Sequence, residues 1–391
     1  MAEAPEIATG ADWPELREAV ARLCARFPGE YWRQLDRERA YPEAFVRALG
    51  EAGLFGILVP EAYGGLGLPL RAASVVLETI HAAGCSAAAC HAQMYTMGTL
   101  LRHGSEEQKR RFLPKIATGE LRLQAFAVTE PGSGSDTPAI STRAERRGDR
   151  YVVTGQKIWT SRALHSDLML LLARTTPLER VKRRSDGLSV FLVDLREAKG
   201  RGLEIRPIET MINHHTTQIF MDGLELPLDS LVGEEGRGFA CILDGMNAER
   251  ILIASECLGD ARWFLRRACD YARERQVFGR PIGQNQGIQF DLARAYAATE
   301  AADLVVRKAC ARFDAGLACG AEANMAKLLA AEASWAAGEA AMQTLGGFAF
   351  ACAFDVERKW RETRLYRIAP VSTHLILAHI AHHVLGLPKS Y

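Results

Sequence analysis

Three regimes of hydrophobic spacing follow one another along the chain. From residue 14 to 56 apolar residues recur every three or four positions, as in LREAVARLCARF and PEAFVRALGEAGLFG, which predicts amphipathic helices. Pro42 suits a first helical turn. VPEAYGGLGLP (59–69) interrupts the pattern as a Gly/Pro loop. The stretch LRAASVVLETIHAAGCSAAACHAQMYTMGTLLRHG (70–104) then predicts a helix rich in small residues, suited to close packing or to the wall of a crowded ligand site. EEQKRRFLPKIATGE predicts a short amphipathic helix closed at Pro114 or at Gly119.

The period then falls to two. AFAVTE, ISTRAERR, RYVVTGQKIWTS, LMLLLAR, LSVFLVDL, LEIRPIE and TTQIFMDGLELP alternate or run apolar over short lengths, with Gly and charged turns between them. That predicts a β domain from about 123 to 233. From GRGFACILDGMNAERIL onward the helical period returns, over 237–275, 285–315, 319–345 and 353–363. Domain boundaries are therefore expected at 1–122, 123–235 and 236–391. No internal repeat is visible.

Composition narrows the function classes. At 391 residues and 48% apolar, the chain can bury a large core. Its 48 basic and 47 acidic residues leave a formal charge of +1, which gives no support for a nucleic-acid partner. Nine scattered cysteines, none in a CxxC pair, read as reduced thiols of a cytoplasmic protein. The N-terminal MAEAPEIATGADW has no signal-peptide core, and no apolar run is long enough to span a membrane. His379, His382 and His383 have a spacing that can mimic a metal pair, but no carboxylate stands at ligand spacing, so no metal site is expected.

Two adjacent motifs carry candidate chemistry. FAVTEPGSGSD (126–136) is a strand entering a Gly-rich turn that is neither GxGxxG nor GxxxxGK[ST]. Its small residues let the backbone approach a ligand, though it also reads as a structural turn. GQKIWTS (155–161) sets an aromatic beside short hydroxyls and can wall a planar cofactor, while a lone tryptophan on a strand is more often core. The charged hairpin loop RTTPLERVKRRSDG (174–187) reads as a solvated tip or as a phosphate contact.

Taken with PEAYGG (60–65), YARERQVFGRPIGQNQ (271–286), QTLGGFAF (343–350) and RETRLYRI (361–368), these motifs make the sequence resemble the acyl-CoA dehydrogenase family over nearly its whole length. The resemblance implies an N-terminal all-α domain, a central β-sandwich or barrel, and a C-terminal four-helix bundle. It implies FAD as cofactor, an acyl-CoA substrate, electron-transfer flavoprotein as acceptor, and a homotetramer or dimer. It places Phe126, Val128, Thr129, Gly134, Ser135, Trp159 and Ser161 at the flavin. It places Arg275, Phe278, Gln286, Gln343, Gly346 and Gly347 at the pyrophosphate–adenine end, in a neighbouring subunit. Ser372 and His374 stand near the adenine half or the subunit boundary. Ser135, Asn247, Arg250 and Ala369 are implied for the substrate.

One departure is large. Many members carry their catalytic glutamate in a YEG-type segment just past the RETRLYRI stretch, and alignment puts Ala369 and Pro370 there. Proline cannot take a proton. Isovaleryl-type and long-chain-type members hold the base on a long C-terminal helix instead, and Glu249 of LDGMNAERILIA falls at that position. Its other reading is a salt bridge on the helix surface. Glu256, on roughly the same face, reads as polar bundle interior. Ala369 in place of an aromatic opens volume and points to branched or bulky acyl groups. Rival readings are a flavin-dependent monooxygenase or oxidase on this fold, and a non-catalytic DNA-associated relative.

Overall fold

The computed structural model describes residues 12–389. The acidic stretch before residue 12, where the absence of a signal-peptide core was read, lies outside the described residues. Six helices come first: α1 Pro14–Ala25, α2 Gly29–Glu38, α3 Glu43–Glu51, α4 Leu70–Ala82, α5 Ala88–His103 and α6 Glu106–Thr118. The β region follows: β1 Leu123–Ala127, β2 Arg143–Arg147, β3 Arg150–Ser161, β4 Leu168–Arg174, β5 Leu188–Asp194, the short α7 Leu195–Ala198, β6 Leu203–Pro207, β7 Thr216–Pro227 and β8 Leu231–Val232. Then come α8 Gly238–Glu274, a small hairpin of β9 Gln276–Val277 and β10 Arg280–Pro281, α9 Gln286–Asp314, α10 Gly320–Leu345, α11 Val356–Arg364 and α12 Thr373–His379.

The chain divides into two compact units. One holds Arg39–Leu68 and Ala88–Met246. Its sheet runs β6-β7-β3-β2-β4-β5-β8, with β1 parallel to β4. LMLLLA is apolar throughout, ahead of Arg174, because β4 is buried on both faces. Leu168, Leu170 and Leu172 pack with Met97 and Leu100 of α5 and Leu113 and Ile116 of α6. Met169 and Leu171 face Tyr151, Val153, Phe191 and Ile219. Tyr151 of β3 meets Phe191 of β5 edge-on at 4.9 Å, so the sheet curls over its own core.

The other unit holds the described residues up to Glu38, Pro69–Ala87, and Asn247 onward. Its long helices are α8, α9 and α10, and Trp263, Phe264, Leu292, Leu345 and Val356 form a core there. A network of buried charge lies among α4, α8 and α11. Lys359 Nζ reaches Asp260 Oδ1 at 2.5 Å and Glu362 Oε2 at 3.2 Å. His81 Nδ1 lies 2.8 Å from Asp260, while its Nε2 accepts the Ala87 N–H at 3.0 Å. That pair of bonds places the ring proton on Nδ1.

Two helix boundaries differ from the spacing. The single helix expected over 70–104 is two, α4 and α5, parted at Gly84, whose φ is +84°. The break is held by long-range partners: Arg358 donates to Gly84 O at 3.0 Å and Lys359 to Cys85 O at 3.4 Å. Pro42 stands at the N-cap of α3 rather than inside its first turn. Gly119, not Pro114, ends α6, in the left-handed conformation that suits glycine at a helix C-terminus.

Candidate active site

The Gly-rich turn after β1 is fixed by a buried ion pair. Lys157 on β3 is fully buried, and its Nζ donates to Glu130 Oε1 and to Val128 O, each at 2.9 Å. Glu130 also accepts from Thr142 N at 2.9 Å and from Ser141 N and Oγ at 2.7 and 2.8 Å. Burial works against the Glu130 carboxylate, but the Lys157 charge and these donors outweigh it and hold its pKa down to about 2. Burial lowers Lys157 to about 8 despite Glu130. Thr129, between these anchors, accepts Ile158 N through its carbonyl at 2.9 Å. A Cβ on Gly132 or Gly134 would meet nothing within 4 Å, and Ser135 is exposed, so the turn offers open backbone.

Trp159 leaves the core because of a bulge. Tyr151, Val153, Gly155 and Lys157 alternate inward along β3, and continued alternation would bury Trp159. The β3–β7 register shifts between Lys157 and Thr160. Thr160 becomes buried instead, and Trp159, at φ 61°, stands 57% exposed. The structure thus corrects the core reading of this tryptophan. Ser161 pairs with Thr216, and Thr217 Oγ1 donates to Thr160 O at 2.7 Å. Arg162 and His215, the next residues on each strand, also have positive φ, and Arg162 N donates to His215 O at 2.8 Å. Three non-glycine residues in that region around Ser161 mark a strained segment of the kind found at ligand sites.

Behind this segment, Tyr41 stacks on His165 at 4.3 Å, His165 meets His215 at 4.7 Å, and Tyr41 donates to Gln124 Oε1 at 2.7 Å. Burial, with His165 and Arg162 nearby, lowers His215 to about 4. Phe126 packs edge-on against Tyr95 at 5.8 Å, and Val128 is half-buried beside the same core.

In the second unit, α8 carries Asn247, Glu249 and Arg250. Glu249 is 8% exposed. Arg250 donates to Asn247 Oδ1 at 3.1 Å; burial lowers its pKa, opposed by Glu249 and Cys319. Glu256 is buried beside His81, 3.9 Å from Nε2, at the edge of the Asp260–Lys359 network, as its bundle-interior reading expects. Lys327 of α10 is fully buried and donates to Val371 O at 2.8 Å, fixing the segment that holds Ala369.

The residues implied for the nucleotide end of the cofactor gather at a surface. Phe278 tips the β9–β10 hairpin and is 99% exposed. The Arg275 guanidinium lies over the Phe348 ring at 5.8 Å, which joins the hairpin to the Gly346–Gly347 turn after α10. Gln286 and Gln343 are exposed, as is His374. Ser372 has a structural task, since its Oγ accepts Leu375 N and caps α12.

The motif search missed Glu130 and Lys157 as a pair. The signal was present: a lysine at an inward position of an alternating strand needs a buried acid, and Glu130 follows Thr129 in the turn. The exposed aromatic face of Trp159 and the open Gly132–Gly134 backbone fit a flavin ring and its polar edge.

Comparison with known proteins agrees along the chain. Profiles of the acyl-CoA dehydrogenase N-terminal, middle and C-terminal domains match residues 12–120, 125–224 and 236–385. Acyl-CoA dehydrogenase FadE12 of Mycobacterium tuberculosis is 36% identical, with 96% of each chain covered. Glutaryl-CoA dehydrogenase of Desulfococcus multivorans is 34% identical, again with 96% of each covered. The solved glutaryl-CoA dehydrogenase in complex with glutaryl-CoA superposes with a TM-score of 0.89 at 30% identity, covering 100% of this chain and 98% of the other. The chain belongs to the acyl-CoA dehydrogenase family, as an oxidoreductase with FAD as its cofactor.

Proposed function

We infer that the chain dehydrogenates branched or bulky acyl-CoA thioesters between the α and β carbons, and that Glu249 is the base for the α-proton. The observation that carries this is the pairing of Pro370 at one possible base position with a buried carboxylate at the other. FAD, when bound, accepts the β-hydrogen as hydride. The carbonyl of the thioester gains negative charge as the α-proton leaves, so fixed donors lower that barrier most. Glu249 takes the proton at its carboxylate, from a helix whose own hydrogen bonds fix the backbone. Arg250, held by Asn247, offers a cation to the CoA arm, and Ser135 offers a hydroxyl. Ala369 leaves room for a branch, although each methylene changes selectivity by only about 1–3 kcal/mol.

The reading includes the division at 122/123 and 235/236, electron-transfer flavoprotein as acceptor, a cytoplasmic setting and a homotetramer or dimer. All nine cysteines are thiols outside any disulfide, which suits a reducing compartment. Phe278, Phe290, Tyr296, Leu304 and Phe350 are exposed large apolar residues of one unit, and a second copy covering them would supply Arg275, Phe278, Gln286, Gln343 and Gly347 to its neighbour's FAD.

The test is Glu249→Gln, with FAD content measured first. Flavin bleaching under argon, with straight and branched acyl-CoAs, should slow by about 100- to 10,000-fold while acyl-CoA still binds. Unchanged bleaching would remove Glu249 from the role. A straight-chain preference would remove the branched reading.

A further inference from the structure

Arg162 follows Ser161 at the end of β3, and it is the cation of the strained segment described above. It is 7% exposed, with a φ of 60°. Its backbone is held on both sides. N donates to His215 O at 2.8 Å, and O accepts His165 N and Ser166 Oγ, each at 3.0 Å. Its guanidinium is held too, because Nη1 lies 3.4 Å from His214 Nε2. A guanidinium can only donate, so Nε2 accepts, and His214 is neutral with its proton on Nδ1. That bond fixes the guanidinium and adds no negative charge of its own.

The strain is shared across the ladder. Arg162 and His215 come directly after the Ser161–Thr216 pair of β3 and β7, and both have positive φ. A non-glycine residue stays in that region only where its surroundings over-determine it. The surroundings here are rings: Tyr41 on His165, and His165 against His215.

Two buried cations flank residues 159–161. Lys157, on one side, is paired with Glu130 at 2.9 Å, so that pair has little net charge. Arg162, on the other, stays protonated, and burial leaves its field weakly screened. The family resemblance assigns Trp159 and Ser161 to the flavin ring. A neutral oxidised flavin that takes up a hydride gains one negative charge, which a cation already in place stabilises without reorganisation.

We propose that Arg162 tunes the bound FAD: its fixed charge makes the protein hold reduced FAD more tightly than oxidised FAD, and so raises the reduction potential. The proposal rests on FAD lying against Trp159 and Ser161. It holds whichever thioester is the substrate and whichever carboxylate is the base.

The experiment measures the reduction potential of bound FAD by equilibration with reference dyes, without acyl-CoA, in wild type, Arg162→Gln and Arg162→Lys. It is run at about pH 8, above the usual range of histidine titration. FAD content and apoprotein Tm are measured first. Arg162→Gln should weaken the hold on reduced FAD by about tenfold more than on oxidised FAD, which is about 30 mV for a two-electron couple. Arg162→Lys keeps the charge and should recover most of that. A purely structural role would weaken both forms of FAD alike and leave the potential where it was. A change of less than about threefold in Arg162→Gln overturns the proposal, as does an equal fall in Arg162→Lys. If Arg162→Gln does not retain FAD, His214→Leu decides the matter, since it releases the guanidinium but keeps the Arg162 backbone bonds. Its potential should fall by about threefold in the same ratio, and an unchanged potential overturns the proposal. Trp159→Ala tests the placement separately: unchanged FAD affinity and flavin absorbance there would remove the flavin from this segment, whatever Arg162 does.

Discussion

Replacing Lys157 with methionine should damage the protein far more than replacing Lys157 and Glu130 together. Glu130 at about 2, against an ordinary 4.5, stabilises the folded state by about 3 kcal/mol at neutral pH. Lys157 at about 8, against 10.5, costs nearly the same amount, because burial disfavours its charge. The two contributions almost cancel, so the pair roughly breaks even against water, as buried pairs often do. Lys157→Met removes the compensating cation and leaves a carboxylate in a site that is 5% exposed. That should cost about 3–5 kcal/mol, eased in part by the three donors from Ser141 and Thr142. For a chain of this size the loss lowers Tm by about 4–6 °C. Glu130→Gln/Lys157→Met should recover much of it, since the amide carries no charge and its one oxygen still accepts from Ser141, while its NH2 then faces the Thr142 N–H. Thermal unfolding of the FAD-free proteins, with FAD content of each variant, gives the cycle. A single variant within about 1 kcal/mol of wild type, or a double variant as poor as the single, would refute the reasoning.

The histidine cluster gives a pH effect. His215 is neutral in both folded and unfolded chains above pH 6.5, so its full contribution is present there. As pH falls from 6.5 towards 4, the unfolded chain takes up a proton that the folded chain does not, and stability drops by at most about 3 kcal/mol. His215→Gln should flatten the Tm profile over that window; an unchanged slope would place the acid sensitivity elsewhere. Trp159→Ala should leave the Tm of the FAD-free protein nearly unchanged, because the side chain is mostly exposed, yet weaken FAD binding by about tenfold. A fall of several kcal/mol in apoprotein stability would mean that the ring is packed as core after all.

The order of helical, β and helical segments is legible because periods of two and of three to four leave different marks on fifteen or more residues. What spacing does not register is a local break held from far away. The small-residue stretch 70–104 scores as one helix because Gly84 is only mildly unfavourable by itself, and the donors from Arg358 and Lys359 that hold the break come over 270 residues later. Trp159 shows the same limit in a strand. Alternation assigns it to the core, and only the bulge opposite β7, a property of pairing, turns it outward. The Gly-rich turn was readable as a ligand loop from its small residues, but its rigidity was not, since that comes from Lys157 one strand away. The loop at 174–187 is the converse case. Its composition announces charge, yet it does not announce that the buried Arg174 ties the loop down by donating to Pro138 O.

Three fully buried lysines share one logic. Lys157 holds the turn around Thr129, Lys359 holds the break after α4 against the Asp260 face of α8, and Lys327 holds Val371 beside Ala369 and Ser372. Each reaches across from a regular element to a carbonyl of an irregular segment, where the backbone has no ladder or helix to satisfy it. They differ in charge compensation. Lys157 and Lys359 have carboxylates, whereas the nitrogen of Lys327 donates to the Val371 carbonyl. Burial lowers Lys327 to about 8, with Arg250 and Arg367 adding to the shift and Cys257 opposing it. The Asp260 carboxylate instead raises Lys359 above its ordinary range in spite of complete burial. Irregular segments are where the family resemblance places Thr129, Ala369 and Ser372. A long flexible side chain ending in a strong donor is a direct way to make such a segment rigid without making it regular. The cost of burying each ammonium is then the cost of holding site residues in conformations that neither a helix nor a strand would supply.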